Sequence, residues 1–157
     1  MKIYDMRFFF LYFGIALLLM IVPLPKLLNS LRPPFLLLFF LYCQWFYPHY
    51  HRLILVMITG LMLDVILGAF LGTHTLGMMI AMLLAETKAR RFQFFNVFQQ
   101  VAFVCSLVFI YEGTIYLTYL LMGFEPALLV YGIKVISSGF IWYFFAQYDL
   151  AYLKQID

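Results

Sequence analysis

Apolar residues occur along this chain in long uninterrupted runs rather than in the short alternations of a soluble fold. Six runs stand out, at residues 8–24, 34–48, 53–72, 73–87, 97–122 and 126–146. A helix needs about 20 apolar residues to cross a bilayer, with a range of about 17–25. The pattern predicts six transmembrane helices. The second and fourth runs are short, so a re-entrant or half-buried helix is the alternative for each.

The composition agrees with a membrane class. Of 157 residues, 66% are hydrophobic and 11% are charged, and the mean hydropathy is +0.99. Soluble domains carry about 25% charged residues, so this chain has too little polar surface to cover a water-soluble globule. We therefore expect an all-α integral membrane protein in which residues 1–157 form one transmembrane domain.

The basic residues predict the orientation. With six spans, one side receives Lys2, Arg7, Arg52, Lys88, Arg90, Arg91 and Lys154, whereas the other receives only Lys26 and Arg32. Lysine and arginine are enriched in cytoplasmic loops, so both termini are expected in the cytoplasm. The net charge of +3 is a topology signal of this kind and does not predict binding to nucleic acid.

Small residues recur every fourth position in two neighbouring runs: Gly60, Gly68 and Gly72 around Asp64 in the third, and Gly77, Ala81 and Ala85 in the fourth. On a helix this spacing places each set on one face, where small side chains allow close approach of another backbone. Gly68 and Gly72 form a GxxxG pair. Two interpretations stay open: packing between spans of this chain, or a docking face for another protein.

Three ionisable residues lie inside the runs: Asp64, Glu112 and Lys134. A charge at the centre of a spanning helix costs about 2.5–3.5 kcal/mol on the insertion scale, so each is a candidate functional residue. Counted from the turn that joins the fifth and sixth runs, Glu112 and Lys134 differ in depth by about 3 Å. We predict that they form an ion pair in an intramembrane polar cluster that Asp64 joins. The pair can fix helix register, pass ions or protons, or form a groove for a partner's helix.

Other polar residues lie near the ends of the runs. Thr73 is a candidate N-cap of the fourth helix. His49, His51 and His74, with Trp45 and Trp142, are expected to anchor the membrane interfaces. The basic segment with Lys88, Arg90 and Arg91 is expected to contact anionic lipid headgroups or an acidic partner.

The chain carries none of the nucleotide-binding, metalloprotease or nucleophile-elbow motifs, and no metal or cofactor site is expected. Cys43 and Cys105 lie inside apolar runs and are interpreted as small core or lipid-facing residues, not as a disulfide or a metal site.

An ordered set of short elements is similar to a known family. It consists of Leu31-Arg32-Pro33, Tyr42, Pro48-His49, Gly60, Leu63-Asp64, Gly68, Leu71-Gly72, Leu76 and Phe98-Gln99-Gln100. In this order, and on a six-span chain of this length, the set resembles the rod shape-determining MreD family. The family has an arginine directly after Pro-His, where this chain has Tyr50 and reaches Arg52 two residues later.

The resemblance implies a non-enzymatic scaffold of the cell-elongation machinery in the bacterial inner membrane. Its implied partners are MreC, which it would bind, together with MreB filaments, RodA, a class B penicillin-binding protein and membrane lipids. It also implies a fold similar to the substrate-binding subunits of energy-coupling-factor transporters. The alternative function is therefore a small-molecule-binding subunit of a transporter. Against it, the first run lacks a small-residue strip, since Leu18 follows Gly14 and Met20 follows Ala16 at the fourth position.

Overall fold

A computed structural model of the chain describes residues 3–22, 25, 31–46, 53–92 and 95–153. The described part is helical and contains no strand. Its helices are α1 Ile3–Ile21, α2 Phe35–Phe46, α3 Leu53–Leu67, α4 Thr73–Phe92, α5 Val97–Leu121 and α6 Leu128–Leu153. Pro48, His49 and His51 lie outside the described residues, so the expectations placed on them are not addressed by the structure.

Each of the six predicted apolar runs coincides with one helix, and this confirms the all-α class. Within the described residues, two helices are long and apolar enough to cross a membrane, Val97–Leu121 and residues 128–147. Three further apolar helices are shorter, at residues 9–21, 35–45 and 53–67.

Local sequence signals set where two of the helices begin. α2 starts directly after Pro33 and Pro34, and the Leu38 N–H bonds to the Pro34 carbonyl at 3.0 Å. At the start of α5, Asn96 and Gln99 form a capping box, in which the Gln99 side chain accepts from the Asn96 N–H at 3.2 Å. This is a reciprocal arrangement that satisfies two N–H groups the helix itself leaves unpaired. Gln100 extends it by donating to the Phe95 carbonyl at 3.1 Å.

Consecutive helices pack against each other, with the exception of α2 and α3, and α4 lies at the centre of the bundle. It packs against α3 and α5, its neighbours along the chain, and also against α2. One face of α4, with Ala81, Met82 and Ala85, is completely buried. The fourth apolar run was short enough that a re-entrant helix was the alternative to a full span. In the structure this run forms α4, the most central helix.

Aromatic side chains connect four helices at the end of the bundle where α2 and α4 finish. Trp45 stacks on Phe92 with 3.6 Å between ring centroids, and Trp142 meets Trp45 edge-on at 5.5 Å. Both tryptophans are 2% exposed. The prediction that they anchor the membrane interface is wrong, because their rings fill the core between α2, α4 and α6.

Two of the small residues allow close helix contacts. A Cβ added at Gly60 would lie 2.7 Å from the Thr75 Cα, so α3 and α4 approach closely at this point. A Cβ at Gly77 would lie 2.9 Å from the Tyr111 ring, which marks a similar approach of α4 and α5. Gly139, which the sequence pattern did not single out, has the same relation to Cys105 between α5 and α6.

The placement of Gly68 and Gly72 on the face of the third helix is wrong. α3 ends at Leu67, short of the predicted 53–72 run, and both glycines belong to the turn that leads into α4. Their φ angles are +63° and +98°, in the left-handed region that favours glycine. These two residues therefore reverse the chain direction, and their GxxxG spacing does not pack two helices together.

Candidate functional site

Asp64 is completely buried near the end of α3, and its carboxylate accepts four hydrogen bonds. Oδ2 accepts from the Gly72 N–H at 2.8 Å and from the Thr75 hydroxyl at 2.9 Å. Oδ1 accepts from the His74 N–H and from its ring Nδ1, both at 2.8 Å. The last bond requires a proton on Nδ1 of the His74 ring.

All four donors lie at or just before the start of α4. The first N–H groups of a helix lack partners within it, and the helix dipole favours a negative charge at that end. Asp64 therefore caps α4 from the preceding helix, across the Gly68–Gly72 turn. Thr73 was expected to be the N-cap, and this is wrong: it is the first residue of α4, and Asp64 binds the N–H groups on either side of it.

The second pair of charges connects α5 and α6. Lys134 Nζ donates to Glu112 Oε2 at 3.3 Å, and the Glu112 side chain is 3% exposed. Lys134 Nζ also lies 5.3 Å from the ring centroid of Tyr131, within reach of a cation–π interaction. The two residues that the depth argument paired are thus adjacent in the structure.

Asp64 does not bond to this pair. Between them stand His74 and Tyr111, whose ring centroids are 6.3 Å apart. His74 was expected at a membrane interface, but it is buried and hydrogen-bonded to Asp64, so that interpretation is corrected. The polar interior consists of two adjoining units, an anion-capped helix start and an ion pair. The polar Thr73-His74-Thr75 sequence at the start of an apolar run was the signal for the first unit.

A cavity of about 320 Å³ borders both units. It lies at the end of the bundle that carries the 68–72 and 122–127 connections, which we call the short-turn end. Its wall includes His74, Glu112 and Lys134, along with Met20 of α1 and Arg32 from the segment before α2. Helices distant in sequence therefore meet around one polar space.

Arg32 is the cation of this wall that has no carboxylate partner among the described residues. Its Nη2 donates to the Val22 carbonyl at 2.5 Å, which ties the end of α1 to the start of α2. Its Nε is buried and has no acceptor in the described part of the chain. Partial burial lowers the pKa of the guanidinium from its ordinary value, because the charge has lost water.

No group of three or more histidine, cysteine, aspartate or glutamate side chains that could hold a metal occurs among the residues the structure describes. Lys88, Arg90 and Arg91 lie in the last turns of α4, but their side chains are outside the described part.

The profile of a family described as rod shape-determining protein MreD matches residues 1–153 of the chain. The chain belongs to the MreD family. This confirms the resemblance drawn from the ordered motif set, which ends at Gln100, and it extends that resemblance to nearly the whole chain. No solved structure gives a significant match.

MreD proteins are membrane-associated components of rod shape determination, and this gives the chain its general role. In this MreD chain, the shared motif residues have structural explanations. Arg32-Pro33 leads into α2, Asp64 caps α4, and Gln99 completes the capping box of α5.

Proposed function

We propose that this chain is a six-span scaffold of the bacterial inner membrane with both termini in the cytoplasm. In this proposal it binds MreC, and the two together connect MreB filaments to RodA and a class B penicillin-binding protein. The observation that carries the proposal is the family match over residues 1–153. The family is a structural component of shape determination, which favours a scaffold over an enzyme.

The proposed mechanism is lateral packing of a partner's membrane helix against a bundle of fixed register. The Asp64 cap and the Glu112–Lys134 pair hold α3 to α4 and α5 to α6, so the outer surface keeps one shape. The candidate groove uses the ends of α3, α5 and α6 at the short-turn end. Leu121 and Leu129, 76% and 74% exposed, offer apolar contacts there.

The basic residues Lys88, Arg90 and Arg91 complete the proposal at the opposite end of α4. Anionic lipid headgroups attract juxtamembrane lysine and arginine at about 1 kcal/mol per residue. These residues would hold the bundle at the cytoplasmic surface, where MreB filaments are.

A site-specific photo-crosslinker tests the partner and the surface together. We expect the crosslinker at Leu121 or Leu129 to capture co-expressed MreC in membranes. The matched control is Phe98, which is 75% exposed at the other end of α5 and lies far from the proposed groove. Capture from Phe98 but not from Leu121 and Leu129 would show that MreC binds at the cytoplasmic end and not in the proposed groove. Absence of capture together with failure to co-purify MreC would refute the scaffold proposal.

The cavity favours a second candidate, a small-molecule-binding subunit of a transporter. Small-molecule sites in proteins are typically cavities of about 300–1,000 Å³ with a few polar groups, and this cavity lies at the lower end of that range. Isolation of this chain in a stable complex with an ATPase and its membrane coupling subunit would favour that function, and co-purification with MreC alone would favour the scaffold.

A further inference from the structure

The wall of the cavity at the short-turn end carries more positive than negative charge. Arg32 and Lys134 contribute two cations, and Glu112 contributes one carboxylate. Asp64 has no exposed surface and does not line the cavity, because its two oxygens accept from Gly72, His74 and Thr75, so it offers no carboxylate oxygen to the wall. One positive charge therefore remains without a counter-charge on the wall.

The wall also carries more hydrogen-bond donors than its carboxylate can satisfy. Arg32 has five N–H groups, of which one donates to the Val22 carbonyl, and Lys134 has three, of which one donates to Glu112. A guanidinium presents its donors as a planar fork that matches the paired oxygens of a phosphate or carboxylate. Both the charge and the donors thus select an anionic group with two or more oxygens.

Apart from His74 and the tyrosine hydroxyl groups, the remaining wall is apolar. Met20, Leu67, Ile115 and Val130 line it, together with the rings of Tyr119 and Tyr131. A volume of about 320 Å³ accommodates a headgroup or a small organic acid and is too small for a whole diacyl lipid. A lipid would therefore place only its polar end in the cavity, with its chains outside.

We propose that this cavity binds an anionic group, phosphate or carboxylate, between Arg32 and Lys134, with the non-polar part of the ligand against the α1, α5 and α6 walls. The inference concerns the cavity alone and holds whether or not MreC is the partner. Two sources share this chemistry, the headgroup of an anionic lipid and a small soluble anion.

Native mass spectrometry of the full chain released from nanodiscs tests the proposal. In phosphatidylcholine discs that contain phosphatidylglycerol, we expect the wild-type protein to retain one phosphatidylglycerol in preference to phosphatidylcholine. Arg32→Gln is expected to lower this retention roughly tenfold, since it removes a charged hydrogen-bond donor. Lys154→Gln removes the same unit of charge from another part of the chain and is expected to leave retention unchanged.

A second arm uses phosphatidylcholine discs with inorganic phosphate in the buffer and follows the thermal unfolding of the wild-type protein. A rise in Tm with phosphate, without retained phosphatidylglycerol, assigns the site to a soluble anion. The proposal is overturned if the wild-type protein shows neither effect, or if Arg32→Gln and Lys154→Gln reduce lipid retention equally, which would indicate surface attraction alone. The wild-type measurements decide the matter even if Arg32→Gln fails to fold.

Discussion

Single residues show how a chain of this hydropathy keeps charges away from hydrocarbon. A buried carboxylate is costly unless hydrogen bonds replace its water. Asp64 meets this requirement with four donors, whereas Glu112 relies on Lys134. Asp64 is the more fully satisfied group, and it connects two helices at the point where α4 has unpaired N–H groups. We therefore expect it to contribute to stability in a way that its amide analogue cannot.

Asp64→Asn is expected to destabilise the protein by about 1–3 kcal/mol, because one oxygen becomes an amide that faces donors and leaves them unsatisfied. The free energy of unfolding of the purified protein in detergent measures this. Glu125→Gln is the matched control, since Glu125 is exposed in the α5–α6 connection, and we expect a change within about 0.5 kcal/mol. Equal effects of the two substitutions would show that the Asp64 cap is not important for stability.

At the scale of elements, glycines that belong to one four-residue sequence pattern have different structural roles. Gly60 allows α3 to approach the backbone of α4, whereas Gly68 and Gly72 supply positive φ angles in the connecting turn. The close approach at Gly60 lies one helical turn before Asp64. Contact between the helices and capping of α4 are therefore coupled, because separating α3 from α4 would also withdraw the carboxylate.

Gly60→Ala is expected to destabilise the protein by about 1–3 kcal/mol, since the new Cβ would overlap the Thr75 Cα and force the helices apart. Gly113→Ala on α5 is the matched control, because a Cβ there meets no atom within 4 Å. Alanine is the better helix former, so the control should be neutral or stabilising by up to about 1 kcal/mol. Unfolding of both variants in detergent measures the difference, and a destabilised control with an unaffected Gly60→Ala would contradict the packing argument.

At the scale of the whole molecule, α4 organises the bundle by contacting α2, α3 and α5, and the polar cluster and cavity lie near its start. The proposed six spans place this cavity in the outer half of the bilayer. They also place the aromatic cluster around Trp45 and Phe92 near the cytoplasmic side. The orientation rests on the distribution of lysine and arginine, so it is open to a direct test of topology.

Reporter fusions test that orientation. We expect green fluorescent protein to fluoresce when fused after Asp157, because it folds in the cytoplasm. Alkaline phosphatase is expected to be active when inserted at Glu125, in the connection between α5 and α6. A non-fluorescent fusion after Asp157 together with inactive alkaline phosphatase at Glu125 would indicate the opposite orientation. Green fluorescent protein that fluoresces both after Asp157 and when inserted at Glu125 would contradict two full spans after residue 96.

Part of the candidate site was predictable from the sequence. Asp64, Glu112 and Lys134 are conspicuous because they are charges within apolar runs. Counting residues from the turn between the fifth and sixth runs predicted that Glu112 lies beside Lys134. In the structure Lys134 Nζ is 3.3 Å from Glu112 Oε2. His74 and Tyr111 were not predictable in this way, because hydropathy does not indicate whether a histidine or tyrosine near a helix end faces lipid or the core. For the same reason Trp45 and Trp142 were placed at the interface although they are buried.

The sequence by itself determined the family, the helical class and the approximate positions of the helices that the structure describes, because long apolar runs and ordered motifs are local properties of the chain. The tertiary structure decided which polar groups meet. The donors to Asp64 come from residues 72–75, which follow a turn. The four-residue spacing of Gly68 and Gly72 predicts one face of a helix, but both glycines belong to that turn. Arg32 reaches the same cavity from the segment before α2, a convergence that depends on helix packing rather than on any local pattern.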